Sequence, residues 1–364
     1  MTLRPRPLRL AVPAGIGLAL LLLARPLPPA SAATEPGTRG VVFPARTMGT
    51  YANVLLVTAD SVAAAPVAAV AVRALARVDS LMSNWIQTSE VARINRDAAA
   101  RTLTVNPEVA RVIGASLRLW KESGGAFDIT VEPLVRLWGF IGGPPRVPAD
   151  SEVAAAFQLV GAQRVEFDAA KRTIHFTREG VRIDLGGIAK GYAVDVAAES
   201  LAAHGVRNAL VDLTGNMVAL GHPAGAPAWR IGVRDPRDRI RFFAKLPLEA
   251  GEAISTSGQY EQFVESKGKT YGHILDPRTG RPAEGLLSVT LIGHTALECD
   301  SWDTPLFVLG PRDSKRLAAE RKEIHAILVQ PGAHGVDTVW VEESLRDRFT
   351  LVPEAREWFQ VRYF

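Results

Sequence analysis

An α+β fold, with mixed sheets and packed helices, is predicted by three features of this 364-residue chain. Short β-rich runs such as "YANVLLVTA" and "LLSVTLIG" recur along it, bounded by Gly, Pro and Asp turns. Between them stand a few longer segments whose apolar residues fall at helical spacing. The two kinds of segment do not alternate regularly, which argues against a doubly wound parallel sheet.

In chain order, "YANVLLVTA" reads as a strand, and "SVAAAPVAAVAVRALARVDSLMS" as an Ala-rich helix interrupted early by Pro66. A second helix, "NPEVARVIGASLRLWKESGG", takes Asn106 as N-cap before Pro107 and ends at Gly124 and Gly125. Pro144, Pro145 and Pro148 mark a surface connection. "RVEFDAAKRTIHFTREGVRIDLGG" alternates through two strands joined by a polar turn, and "IAKGYAVDVAAESLAAHG" is a helix closed by Gly205. "NALVDLTGNMVALG", "WRIGVRDP" and "FFAKLPLEAGEAISTSG" supply further strands, followed by a hairpin-like "YEQFVESKGKTYGHILDP". The strand "LLSVTLIG" leads into a helix that carries "ECDSWDT".

Residues 1–32 set Arg4, Arg6 and Arg9 before the apolar run "LAVPAGIGLALLLLA" and end in the small residues of "PPASA", the order of a secretory signal peptide. That run, about fifteen residues, is short of the roughly twenty a spanning helix needs; an uncleaved N-terminal anchor is the alternative. Residues 33–40 read as a flexible lead-in and 41–364 as one working domain of an exported, periplasmic protein. Four of the 42 basic residues lie in the leader, so the rest of the chain carries 38 basic against 38 acidic. The pI near 9.3 therefore belongs to the leader and gives no support to nucleic-acid or membrane-surface binding. Membrane contact is expected only through a partner or an uncleaved leader. The single cysteine, Cys299, permits no intramolecular disulfide.

Three stretches carry candidate chemistry. In "DLGGIAKGYAVD", Gly186 and Gly187 stand between a strand and a helix, where backbone N–H groups point at an anion, and Lys190 adds positive charge. The spacing matches neither common nucleotide fingerprint, and a plain strand-to-helix turn is the competing reading. In "GHILDPRTGRP", His273 reads as a general base, an anion contact or a hydrogen-bonded strand end, and Asp276 as a turn former. In "ECDSWDT", Asp300 and Thr304 share one helix face, with Asp303 on the adjacent edge. Two carboxylates and a hydroxyl are hard oxygen donors that suit Mg²⁺ or Ca²⁺ rather than zinc; helix capping by the same acids is the alternative. Cys299 faces elsewhere, as a small buried hydrophobe.

Taken together, "MGT" at 48–50, "MSNWIQTSEVARIN", "GAFDITVEPLVRLWGF", "IDLGGIAKGYAVD", "AISTSGQYEQF", "GHILDPRTGRP", "SVTLIG" and "ECDSWDTPLFVLG" occur in the order of the ApbE-like FAD:protein FMN transferases. The chain resembles that family from about residue 41 to its C-terminus. The resemblance implies an enzyme that uses FAD as substrate and Mg²⁺ as cofactor, and transfers the FMN moiety to a threonine or serine hydroxyl of an acceptor protein, releasing AMP. It implies a metal held by Asp300, Asp303, Thr304 and the carbonyl of Gly187. It further implies FAD contacts from Met48, Trp85, Ala126, Phe127, Asp128, Asp184, Lys190 and Leu275, and a catalytic role for His273 in activating the acceptor hydroxyl. An ordinary histidine pKa near ~6.5 suits that role in a near-neutral compartment. Trp85 stands where many members have tyrosine, and "DLTGN" replaces a common Gly-Gly-Asp-like turn. Asp303 is either a ligand or a base orienting Thr304. An FAD pyrophosphatase and a non-catalytic FAD-binding protein are the other functions open to the same sequence.

Overall fold

The computed structural model describes residues 37–364. The expected signal peptide lies outside the described residues, and the strand Arg39–Thr47 opens two residues inside the expected lead-in.

Among the described residues, nine strands form the central sheet, in the order Arg39–Thr47, Thr50–Thr58, Ala209–Leu213, Asn216–Leu220, Ala253–Gly258, Ser288–Gly293, Ile324–Gln330, Asp337–Val341 and Phe359–Tyr363. Neighbours are antiparallel except the last pair, which is parallel, so the sheet is mixed and the fold α+β. Alternate residues enter two different cores. Val54 and Leu56 face one while Leu55 faces the other, and Leu291 and Ile292, or Leu328 and Ile327, divide in the same way. A sheet covered on both faces needs apolar residues at every position, which is why its strands read as near-continuous hydrophobic runs.

The helices are α1 (Ser61–Met82), α2 (Glu90–Asp97), α3 (Pro107–Glu122), α4 (Glu132–Leu137), α5 (Asp150–Phe157), α6 (Ala189–Ala203) and α7 (Ala296–Glu320). Of these, α1, α6 and α7 cover the first core. α1 buries Ala64, Ala68, Ala71, Leu75, Val78 and Met82, a stripe at three- and four-residue spacing. The expected interruption at Pro66 does not occur. Pro66 sits near the helix start, where its missing N–H removes one bond, and the Asp60 side chain holds that start by accepting from the N–H groups of Val62 and Ala63. The opposite face is closed by a three-stranded sheet of Trp229–Asp235, Asp238–Leu248 and Thr350–Leu351, with Phe243 stacked 4.7 Å from Phe359.

A third, smaller cluster joins Leu134, Trp138, Phe140 and Val153 to Leu275. It anchors the segment around α4 and α5 against the short hairpin of Leu275–Asp276 and Arg281–Pro282. Trp138 fixes this junction by donating its ring N–H to the carbonyl of Gly280 at 3.1 Å.

Candidate active site

The helix α7 starts at Thr295, whose side chain accepts from the N–H of Glu298, directly after the buried strand Ser288–Gly293. One turn in, Asp300 and Asp303 are almost completely buried. Asp300 is held by α6: its Oδ2 accepts from the N–H of Gly191 at 2.8 Å, and its Oδ1 lies 3.5 Å from the Lys190 ammonium. Close approach of the two helices depends on glycine. A Cβ on Gly191 would stand 2.2 Å from the carbonyl oxygen of Ala296 and 2.6 Å from the Cβ of Asp300. The bond to Asp300 has a second effect. In an uninterrupted helix the N–H of Gly191 would bond the carbonyl of Gly187, four residues back; here it is spent on Asp300.

Asp303 is held from the sheet. Ser255 Oγ donates to its Oδ2 at 2.5 Å and Ser257 Oγ to its Oδ1 at 2.8 Å, both from the strand Ala253–Gly258. Thr304 Oγ1 stands 3.2 Å from Asp303 Oδ1 and 3.4 Å from Ser257 Oγ. Burial first, and the Asp300 carboxylate second, push the Asp303 carboxyl up to about 8. Lys190 sits near both acids; burial works against its charge, but the two carboxylates win and hold its pKa above the usual lysine value.

In front of these acids lies a cavity of about 300 Å³, lined by Met48, Trp85, Ala126, Phe127, Asp128, Asp184, Gly187, Lys190, His273, Leu275 and Thr304. Eleven of the thirteen residues expected at the site thus share one wall, and Asp300 and Asp303 stand behind it. Gly187 and Thr304 face one another: a Cβ on Gly187 would lie 3.7 Å from Thr304 Oγ1 and 3.2 Å from the Phe127 ring.

Local sequence explains each placement. Met48 and Gly49 form a two-residue hairpin turn with φ of 50° and 70°, and the Met48 N–H donates to Asp79 of α1 at 2.6 Å. Trp85 follows the end of α1 and is 64% exposed at the cavity mouth, where a flat ring is free to stack. The Asp128 carboxylate is turned inward, accepting from Thr130 N, Thr130 Oγ1 and Ala162 N, and burial raises its pKa. Asp184 accepts from Gly186 N at 2.9 Å and Asn84 Nδ2 at 3.1 Å, and burial raises it as well.

The His273 ring is enclosed by protein on one side and open to the cavity on the other. Its Nδ1 lies 3.2 Å from the carbonyl of Gln262, which can only accept; that assigns the proton to Nδ1 and leaves Nε2 as a bare lone pair. The ordinary pKa expected from sequence is corrected here. Burial lowers it to about 4, against the bond to Gln262 and with a further push from Lys190, so the ring is neutral.

Sequence reasoning did not single out Asp79, Asn84, Ser255, Ser257 or Gln262. The one available signal was period two in "STSG", which sets Ser255 and Ser257 on the same face of a strand. The donor set suits a hard divalent ion: the buried Asp300 carboxylate is offset by one ammonium, and the Asp303 carboxyl, the Thr304 hydroxyl and the Gly187 carbonyl lie beside it. Among the described residues no group of three or more His, Cys, Asp or Glu side chains forms a metal cage.

The ApbE family pattern matches residues 48–328. The FAD:protein FMN transferase of Klebsiella pneumoniae (strain 342) is 33% identical over 87% of this chain and 91% of its own length. That of Salmonella typhimurium is 31% identical over 91% and 95%. Among solved structures, the ApbE protein of Thermotoga maritima superposes with a TM-score of 0.77 at 30% identity, over 85% of this chain and 99% of its own. The Vibrio cholerae flavin transferase ApbE gives 0.75 at 29% over the same shares. Family pattern, relatives and fold agree: the chain belongs to the ApbE family of flavin transferases.

Proposed function

We propose that this protein is an exported, periplasmic FAD:protein FMN transferase that moves the FMN moiety of FAD, with Mg²⁺, onto a threonine or serine hydroxyl of an exported or membrane-associated acceptor, releasing AMP. One observation carries the reading most: a neutral histidine with a free Nε2 opens on the same cavity as Lys190, Gly187 and Thr304. A base, an ammonium that stabilises phosphate charge and oxygens that can hold a cation therefore meet across a space of small-molecule size.

In this reading Asp300, Thr304 and the Gly187 carbonyl hold the metal. Both oxygens of Asp303 are engaged by Ser255 and Ser257, so it serves chiefly to orient Thr304. Bound Mg²⁺ supplies Lewis acidity and charge neutralisation on the pyrophosphate. Lys190 remains an ammonium and adds charge on the same side. His273 Nε2 takes the proton of the acceptor hydroxyl as its oxygen bonds the FMN-side phosphorus. The bond from that phosphorus to the bridging oxygen breaks, and its electron pair leaves with AMP. Trp85, exposed at the mouth, stacks on a flavin or adenine ring in this reading.

Intact mass of a candidate exported acceptor, after incubation with the protein, FAD and Mg²⁺ and with an EDTA control, tests the reading. A metal-dependent gain of one FMN phosphoryl unit on a threonine or serine is expected, with AMP in equal amount. AMP and free FMN with no modified acceptor would make the enzyme a pyrophosphatase. Intact FAD throughout would sink the enzymatic reading.

A further inference from the structure

Asp195, at the end of "DLGGIAKGYAVD", has no place in the chemistry above, yet it contacts the start of the helix that bears the acids. One carboxylate oxygen accepts from the N–H of Ala296 and the other from the N–H of Leu297, each at 2.8 Å. Those are the first two N–H groups of α7, orphans that a helix cannot satisfy internally. The third, on Glu298, is taken by Thr295, the helix's own N-cap. Asp195 stands one turn of α6 beyond Gly191, so the capped turn of α7 and the Asp300 carboxylate are gripped by successive turns of one neighbouring helix.

We propose that Asp195 is a positioning residue for the metal site: by tying the first turn of α7 to α6, it fixes Asp300 and Thr304 of one helix against the Gly187 carbonyl that opens the other. The inference rests on the metal reading given above. A tether between the two helices is required because the ligands come from both, and an error of an ångström in their separation is felt directly in coordination. A capping role for stability alone fits less well. Burial pushes the Asp195 carboxyl up to about 6 in spite of its two N–H donors, with Glu199 adding to the rise and Arg111 opposing it. An ionised carboxylate is thus kept at neutral pH where a neutral Asn, Ser or Thr would cap at lower cost.

The test compares Asp195→Asn, which keeps one acceptor oxygen, and Asp195→Ala with Thr295→Ala, which removes the helix's own cap and leaves the tether. Mn²⁺ binding is read by electron paramagnetic resonance in the absence of FAD, alongside thermal melts in EDTA. Both Asp195 variants are expected to bind Mn²⁺ about tenfold more weakly, while Thr295→Ala melts earlier but keeps wild-type affinity. Wild-type Mn²⁺ affinity in a folded Asp195→Asn protein would overturn the proposal, and so would an equal loss in Thr295→Ala, since any loosened cap would then suffice. Asp300→Ala separates this outcome from failure of the metal reading. If that variant binds Mn²⁺ normally, the metal is elsewhere; if it does not, the Asp195 result bears on positioning alone.

Discussion

His273 keeps its proton on Nδ1, toward the carbonyl of Gln262, and so presents a lone pair to the cavity at any pH above its lowered pKa of about 4. A base that is already neutral does not lose activity as the medium turns mildly acidic. With Mg²⁺ and FAD saturating, the transfer rate is therefore expected to show no inflection near 6.5 attributable to this ring. His273→Ala is expected to slow transfer by roughly 10²–10⁴-fold, the ordinary worth of a positioned base, while leaving FAD affinity near wild type. Flavin fluorescence titration set beside the rate decides the point: parallel losses would make His273 a binding residue. A second residue-scale expectation concerns Ser257, which touches both Asp303 and Thr304. Ser257→Ala removes one of the three hydroxyls on a buried carboxyl group, at a cost of about 1–3 kcal/mol. It is expected to weaken metal-dependent turnover more than Ser255→Ala, because Ser255 does not touch Thr304. Equal effects would mean that both serines serve only the burial of Asp303.

At the scale of elements, the seam between α6 and α7 is set by a glycine whose importance is steric. Gly191→Ala places a methyl 2.2 Å from the Ala296 carbonyl oxygen, a contact with backbone that no rotamer relieves. Such overpacking is expected to cost about 3 kcal/mol, readable by urea unfolding, and to separate Asp300 from the N–H that holds it. An unchanged midpoint would mean that the helices slide apart at little expense. This seam also marks where sequence becomes hard to read. The α+β class was legible, because strand runs, N-caps and closing glycines are local signals: Asn106 does cap α3, and Gly205, with φ of 81°, does end α6. The cavity residues were legible through motif order. What holds them was not. Asp79 reaches Met48 across 31 positions, Asp195 reaches Ala296 across 101, and Ser255 reaches Asp303 across 48. No local pattern encodes such partners, since each pairing arises only when two distant segments meet. The lowered pKa of His273 belongs with them, because burial is a property of the surrounding fold.

Across the whole molecule, the site is assembled at the expense of stability, and the pH dependence of folding should reveal it. An acid whose pKa is higher folded than unfolded keeps a proton that the unfolded chain has lost, so stability falls as pH rises toward the folded value. Asp195, raised to about 6, completes that fall by near pH 6. Asp303, raised to about 8, continues it to near pH 8. His273 works the other way, but only between about 4 and 6.5, since its folded pKa lies below its unfolded one. Over pH 6.5–8 the buried acid behind the cavity is therefore the main titrating group among these three. His325, raised by its bond to Glu342, adds a loss of the same sign. In EDTA, stability is expected to drop across that window by up to about 2 kcal/mol for Asp303, at roughly 1.4 kcal/mol per pH unit. A divalent ion held next to Asp303 by Asp300 and Thr304 favours its ionised form and releases the proton, so stabilisation by Mg²⁺ should grow over the same range. Melting curves at pH 6.5, 7.25 and 8, with EDTA and with Mg²⁺, measure both trends, and Asp303→Asn isolates the acid from His325. A wild-type midpoint in EDTA that holds level or rises with pH, or an Asp303→Asn series as steep as the wild type, would show that Asp303 does not carry this cost.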